Sequence, residues 1–170
     1  MTNHNITRCQ ADINPRGWTC DEAFDGVTNN NNGWNNYGTI PAWAVFYPVR
    51  PVSVNTVIFK TGAERNDRHL TDFTIEVQIN QLFIPIHGIA VNVGATIEGG
   101  RVKITDDGVG EVRVAFDVMT NVTAVRITVY GSDAKSDQSN YSILNELVIL
   151  CMKDTGLFWE ADVDVIINQI

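Results

Sequence analysis

Thiolate and imidazole ligands, membrane-spanning runs and surplus positive charge are all scarce in this sequence. Its 170 residues include three cysteines and three histidines. No CxxC pair and no metal-ligand spacing joins Cys9, Cys20 or Cys151 to His4, His69 or His87. No apolar run has the length of a membrane span, and the opening MTNHNITRCQ lacks the apolar core of a secretion signal. It therefore reads as a mature fragment with an added Met1 or as a chain that does not leave by that route. Twelve Lys and Arg against twenty Asp and Glu give a net charge of −8. That balance argues against a nucleic-acid backbone as partner and against electrostatic docking on anionic lipid, and it suits a soluble acidic surface. There is no GxSxG, HExxH or Walker-type glycine loop. Asp106-Asp107 sits in DDG, a tight-turn sequence. His87, within IPIHGIA, reads as a partly buried strand histidine rather than a base. No enzyme is expected.

Helical periodicity is also missing, and strand signals fill its place. Val125, Ile127 and Val129 alternate with Arg126, Thr128 and Tyr130, so that one face of the segment is apolar. Phe73, Ile75, Val77 and Ile79 alternate with Thr74, Glu76 and Gln78 in the same way. Strands are expected at Trp43–Tyr47, Val54–Lys60, Phe73–Ile79, Leu82–Ile86, Ile89–Val93, Arg101–Thr105, Glu111–Asp117, Ala124–Tyr130 and Ile143–Leu150, with Trp43 in the core. Residues 1–17 read as irregular, and Asp21–Gly38 as a long Asn/Gly-rich loop. Many short alternating strands separated by turns indicate an all-β sandwich or barrel. One domain over residues 1–151 and a tail over 152–170 account for the length. Ile143–Leu150 holds a difficulty: Asn145 and Glu146 interrupt an apolar run, and a carboxylate there is costly to bury without a partner.

Cys9 and Cys151 flank nearly all of the strand-like sequence, and a disulfide between them would close the two ends. The sequence leaves the connectivity open, and one thiol is left over.

In order along the chain come AFDG (23–26), Trp34 after an Asn-rich loop, PAW (41–43), DFTIEVQ (72–78), TAVRITVYG (123–131) and SILNELVIL (142–150). Together these resemble the discoidin domain, the coagulation factor V/VIII C-type module. The resemblance covers roughly residues 9–151. It departs at Asn80-Gln81-Leu82-Phe83, where the family has a Ser-Asp-Gly turn followed by Trp, and in the tail. It implies a galactose-binding-like jelly-roll β-sandwich. It further implies that Asp25 and Glu146 help to hold a structural Ca²⁺, with Thr28 or Asn30 and carbonyls of the 20–28 loop as further oxygens. Hard oxygen ligands of this kind suit Ca²⁺. The alternative is that Asp25 caps the turn before Gly26 while Glu146 points to solvent.

Members of this fold bind ligands on loops at one end of the sandwich. Here Gly62–Leu70 gathers Arg65, Asn66, Arg68 and His69, the polar groups that sugar hydroxyls require. Tyr141 is the expected aromatic platform and Trp34 the runner-up. Alternatively, Arg65 and Arg68 pair with Glu64, Asp67 or Asp72 on a solvated loop. The reading is a lectin-like, non-catalytic adhesion module contacting a glycan or glycoprotein surface, outside the cell or on a particle. The competing reading is a structural or assembly protein (virion decoration, appendage or matrix component) or a protein-docking module of the same fold. The apolar tail, with Phe158, Trp159, Val163, Val165, Ile166 and Ile167, is expected to pack on another subunit, on a larger partner or back on its own domain. Asn5-Ile6-Thr7, Asn121-Val122-Thr123 and Asn140-Tyr141-Ser142 fit the N-glycosylation pattern.

Overall fold

Alternating strands with one apolar face must bury that face, and two sheets laid face to face do so. A computed structural model of the chain describes residues 2–14, 17–27, 32–62, 68–133 and 142–152. Its strands are β1 (Thr2–His4), β2 (Ile6–Ala11), β3 (Trp34–Asn35), β4 (Ala42–Pro48), β5 (Val52–Thr61), β6 (Leu70–Ile79), β7 (Leu82–Pro85), β8 (Ala90–Val91), β9 (Ala95–Glu98), β10 (Arg101–Ile104), β11 (Glu111–Val122), β12 (Ala124–Ser132) and β13 (Ile143–Cys151). One sheet runs β1-β13-β5-β11-β8 with β3 paired to β13, and the other runs β2-β4-β12-β6-β10-β9 with β7 paired to β6. Neighbouring strands in both sheets are antiparallel. The architecture is an all-β jelly-roll sandwich.

The core lies between the sheets. Phe46, Ile75, Phe73 and Ile127 come from one side, and Phe59, Val57, Leu147 and Ile149 from the other. Phe59 and Phe73 meet edge to face across it, with ring centroids 4.9 Å apart, the arrangement that aromatic quadrupoles favour. On β12, Val125, Ile127 and Val129 are buried while Arg126, Thr128 and Tyr130 are half-buried, as the alternation requires.

Several expectations need correction. Residues 2–4 and 6–11 form β1 and β2 rather than irregular chain. Trp43 is half-buried, because Ala42, Ala44 and Phe46 take the inward positions of β4. His87 is exposed in the connection after β7. The disulfide joins Cys9 to Cys20, with Cα atoms 5.9 Å apart, and Cys151 is a free thiol. Cys9 and Cys151 lie in different sheets, Cys9 opposite Phe46 and Cys151 opposite Thr2, whereas the 3-10 turn Cys20–Ala23 packs beside β2. The tail residues 153–170 fall outside the described residues. No helix among the described residues is long and apolar enough to cross a membrane.

Candidate functional site

Strand β13 explains its own polar pair. Leu144 sits opposite Thr61 and Glu146 opposite Lys60, so Asn145 is one residue too many and forms a β-bulge. A bulge turns the following side chains to the other face. Leu144, Leu147 and Ile149 can then all point into the core while Glu146 points away from it. The bulge is covered by the chain before β3. Asn145 Nδ2 donates to the carbonyl of Asn32 at 2.7 Å. Gly33 lies so close that a Cβ on it would stand 2.5 Å from Leu144 O.

This coverage brings Glu146 to the Asp25 loop. Glu146 Oε2 accepts from the Gly26 N–H at 3.1 Å, and Asp25 Oδ1 accepts from the Val27 N–H at 2.8 Å. Partial burial pushes the Glu146 carboxyl above its ordinary value, and the Asp25 carboxylate pushes the same way; the Gly26 N–H and Lys60 pull it back. Asn32 Nδ2 stands 2.8 and 3.0 Å from the two Asp25 carboxylate oxygens and 3.0 Å from each of the carbonyls of Glu22 and Val27. Four oxygens surround one nitrogen that carries only two protons. The NH₂ group thus occupies the centre of an oxygen cage, the surroundings a hard cation takes. Thr28 and Asn30 lie outside the described residues. Among the described residues, no cluster of three or more His, Cys, Asp or Glu side chains could hold a metal. Any ion here would therefore depend on carbonyls as well as on Asp25 and Glu146.

A second gathering forms where β5 leads into β6 and β12 into β13. Ser142 N–H donates to Asn36 Oδ1 at 2.8 Å, and Asn36 N–H donates to Ser142 O at 3.4 Å. The next residue, Ile143, donates its N–H to Arg68 O at 3.1 Å. His69 Nδ1 lies 2.6 Å from Asp133 Oδ2, and its backbone N–H donates to Asp133 Oδ1 at 2.7 Å. Asn36, Arg68, His69, Asp133, Ser142 and Ile143 are thereby tied together at one end of the sandwich, where the connections after β3, β5 and β12 begin or end. Tyr37 stands out on the first of them, 57% exposed, with φ of 53°. Arg68 on the second has φ of 70°. Both are non-glycine residues in the left-handed region, backbone that tends to collect at binding sites.

The residues expected to bind ligand divide. Arg68 is half-buried at this end, while Arg65, Asn66 and Tyr141 lie outside the described residues. His69 is only 4% exposed and serves as a brace to Asp133 rather than as an open donor. Trp34 is a core residue, 1% exposed, with Nε1 donating to Ile13 O at 2.7 Å, so its ring offers no platform. Asp72 is taken by Arg101, whose Nε and Nη2 reach its two oxygens at 2.5 and 2.7 Å. Tyr37 escaped the sequence reading. Its one signal was an aromatic within Asn-Tyr-Gly, a turn rather than a strand.

No family model matches the chain, and no curated protein matches it. Solved structures do. The chain is similar to the carbohydrate-binding module of AlyQ, with 15% identity, a TM-score of 0.65, and 89% of this chain and 100% of that one covered. It is similar to the family 32 module of C. perfringens NanJ, with 15% identity, a TM-score of 0.62, and 85% and 93% covered. The fold is the galactose-binding-like jelly roll. SpGH29 also contains it, with 10% identity and a TM-score of 0.65; there 88% of this chain matches 27% of that much longer one.

Proposed function

We propose that this chain is a non-catalytic carbohydrate-binding module, with its ligand lying across the end of the sandwich between Tyr37 and Arg68. The observation that carries the reading is the tying of Asn36, Arg68, Ser142 and Ile143 at that end, with Tyr37 exposed next to Asn36 in the chain. Tyr37 supplies the flat apolar face against which a pyranose ring stacks, and Arg68 supplies the paired donors that grip vicinal hydroxyls or a carboxylate. Arg65 and Asn66 share a loop with Arg68, and Tyr141 belongs to the third connection; they complete the ligand set in this proposal. Two structural neighbours support the class of ligand. The AlyQ module is in complex with 4,5-unsaturated mannuronic acid and the NanJ module with galactose.

Calcium enters the proposal as a structural ion. Asp25, Glu146 and the carbonyls of Glu22 and Val27 would hold it, with Asn32 turning its amide oxygen inward. The ion would fix the loop over the β13 bulge, leaving the sugar contact itself calcium-independent. Affinity is modest, because sugar hydroxyls exchange water hydrogen bonds for protein ones and bury little apolar area. Several copies on one surface then supply avidity, which suits adhesion outside the cell or on a particle. A glycan array probed with a multivalent form tests the proposal. Binding to defined glycans that disappears in Tyr37→Ala and Arg68→Ala supports it, and an empty array transfers the chain to the assembly reading.

A further inference from the structure

At the opposite end of the sandwich, where β4 turns into β5 and β11 into β12, Thr7, Arg8, Tyr47, Arg50, Gln78 and Thr123 help to line a groove of about 340 Å³. We infer that this groove is a second binding site, taking the oxyanion of an acidic saccharide, a sugar bearing carboxylate or sulfate. The inference stands apart from the loop-end reading and uses none of its residues.

The charge pattern is the first argument. Arg101 pairs with Asp72, Arg126 with Glu76, and Arg113 with Glu111. A groove of similar size on the face of the sandwich mixes its signs, with Asp72 and Glu98 beside Arg101 and Lys103. Among the described residues, Arg8 and Arg50 have no carboxylate partner and no Asp or Glu lines their groove. In a chain with twenty acidic side chains and twelve basic ones, two arginines lining one groove without a counter-charge among the described residues leave room for one to be supplied from outside.

Preorganisation is the second. The Arg8 guanidinium carbon lies 4.0 Å above the centre of the Tyr47 ring. Stacking fixes the plane of the group and leaves its N–H edge to form paired hydrogen bonds with an oxyanion. Arg50 sits between Pro48 and Pro51, where ring-fixed φ angles limit the backbone. The same turn is held to the N-terminal strands by the Val49 N–H, which donates to Asn5 O at 3.0 Å.

The remaining hydrogen bonds point the same way. Thr123 spends its hydroxyl proton on Gln78, with Oγ1 lying 3.0 Å from Oε1 and 3.2 Å from the Gln78 carbonyl. Gln78 Nε2 is left without an acceptor among the described residues. Arg8, Arg50 and Gln78 thus line a groove richer in side-chain donors than in carboxylates among the described residues, the pattern an anion completes. Its volume falls in the range of small-ligand clefts and exceeds what one inorganic oxyanion fills. An acidic sugar fits both the charge and the space.

The test titrates the full chain with tetragalacturonate, a sulfated galactan tetrasaccharide and neutral galactotetraose, reading amide NMR shifts and calorimetry. Expected are shifts at Arg8, Arg50 and Gln78 with an acidic oligosaccharide and none there with the neutral one. Affinity should fall at least about tenfold in Arg8→Ala and in Arg50→Ala, the loss of one charge-assisted contact. It should be unchanged in Lys103→Ala, which removes a positive charge from the mixed-sign groove on the sandwich face. Thermal melting confirms the fold of each variant, and Arg50→Lys, which keeps the charge without the fork, should bind between the two. Silence at these residues, equal shifts with the neutral sugar, or affinity indifferent to both arginines would overturn the inference. Arginine-dependent binding to phosphatidylserine vesicles without response to either acidic saccharide would overturn it too.

Discussion

His69 and Asp133 hold each other at two points, ring nitrogen to one carboxylate oxygen at 2.6 Å and backbone N–H to the other at 2.7 Å. The pair links the start of β6 to the end of β12, next to Arg68, whose carbonyl accepts from the Ile143 N–H. Replacing His69 with Ala leaves the carboxylate with a lost partner in a half-buried setting. A hydrogen bond to a charged group contributes about 2 kcal/mol, so His69→Ala should lower stability by about that much. Urea unfolding with an unchanged slope would register it as a lower midpoint.

Glu146 carries the pH dependence. Its carboxyl is raised above the ordinary value of 4.5, with burial as the largest cause and Asp25 second after the opposing Gly26 bond. A raised acid favours folding while it is protonated, and that advantage is lost as pH climbs from 4.5 through the folded value. At pH 7 without a cation, keeping this carboxyl in the folded site therefore costs stability. In chelator, Glu146→Gln should melt higher than the parent at pH 7, and the gap should close as the pH falls below 4.5. Calcium should reverse the order, since an ion at a hundredfold its dissociation constant stabilises the parent by about 2.7 kcal/mol. Identical parent melting curves in calcium and in chelator would remove the ion from the account.

Removing the Cys9–Cys20 bridge should matter, and removing Cys151 should not. The two bonded cysteines are 11 residues apart. Closing a loop of that size restrains the unfolded chain by about 2–3 kcal/mol. The Cys9→Ala/Cys20→Ala double variant should lose about that stability by chemical denaturation. Cys151→Ser, at the end of β13, should stay within about 0.5 kcal/mol of the parent.

Gly33 is the tightest backbone position over the β13 bulge. A Cβ there would meet Leu144 O at 2.5 Å and Asn145 Cα at 2.8 Å, on a residue with φ of 136°. Backbone atoms cannot step aside as a flexible side chain would, so Gly33→Ala should destabilise by about 3 kcal/mol. Differential scanning calorimetry would show it as a lower melting temperature. A melting temperature matching the parent's would mean that the chain crosses the bulge at a distance.

The sandwich was legible because alternation in β6 and β12 reports directly on a two-faced strand. Short or polar strands were not. Ile6–Ala11 carries Thr7, Arg8 and Gln10 outward, and Trp34–Asn35 is too brief to alternate. Asp25 and Glu146, 121 positions apart in sequence, were brought to the same loop by the resemblance and meet there around Gly26. The bulge at Asn145 showed in the sequence only as the polar pair Asn145-Glu146 within an apolar run, which does not by itself say that the register shifts there. Cysteine spacing misled for a related reason: flanking the strands in sequence says nothing about which sheet each thiol joins. Tyr37 was hidden because exposure at a loop tip is a tertiary property. His69 and Trp34 have the chemistry of ligand residues, but burial assigned them to bracing and to the core.

The central claim is that the Tyr37–Arg68 end binds sugar. Isothermal titration of the parent, Tyr37→Ala and Arg68→Ala with a glycan selected from the array tests it most directly, with calcium and chelator arms in parallel. The account predicts a weak exothermic isotherm for the parent. Either substitution should weaken it at least about tenfold, the cost of a lost stacking or charge-assisted contact, while chelator should leave it in place at a temperature where the protein remains folded. Undiminished binding in both variants would contradict the account.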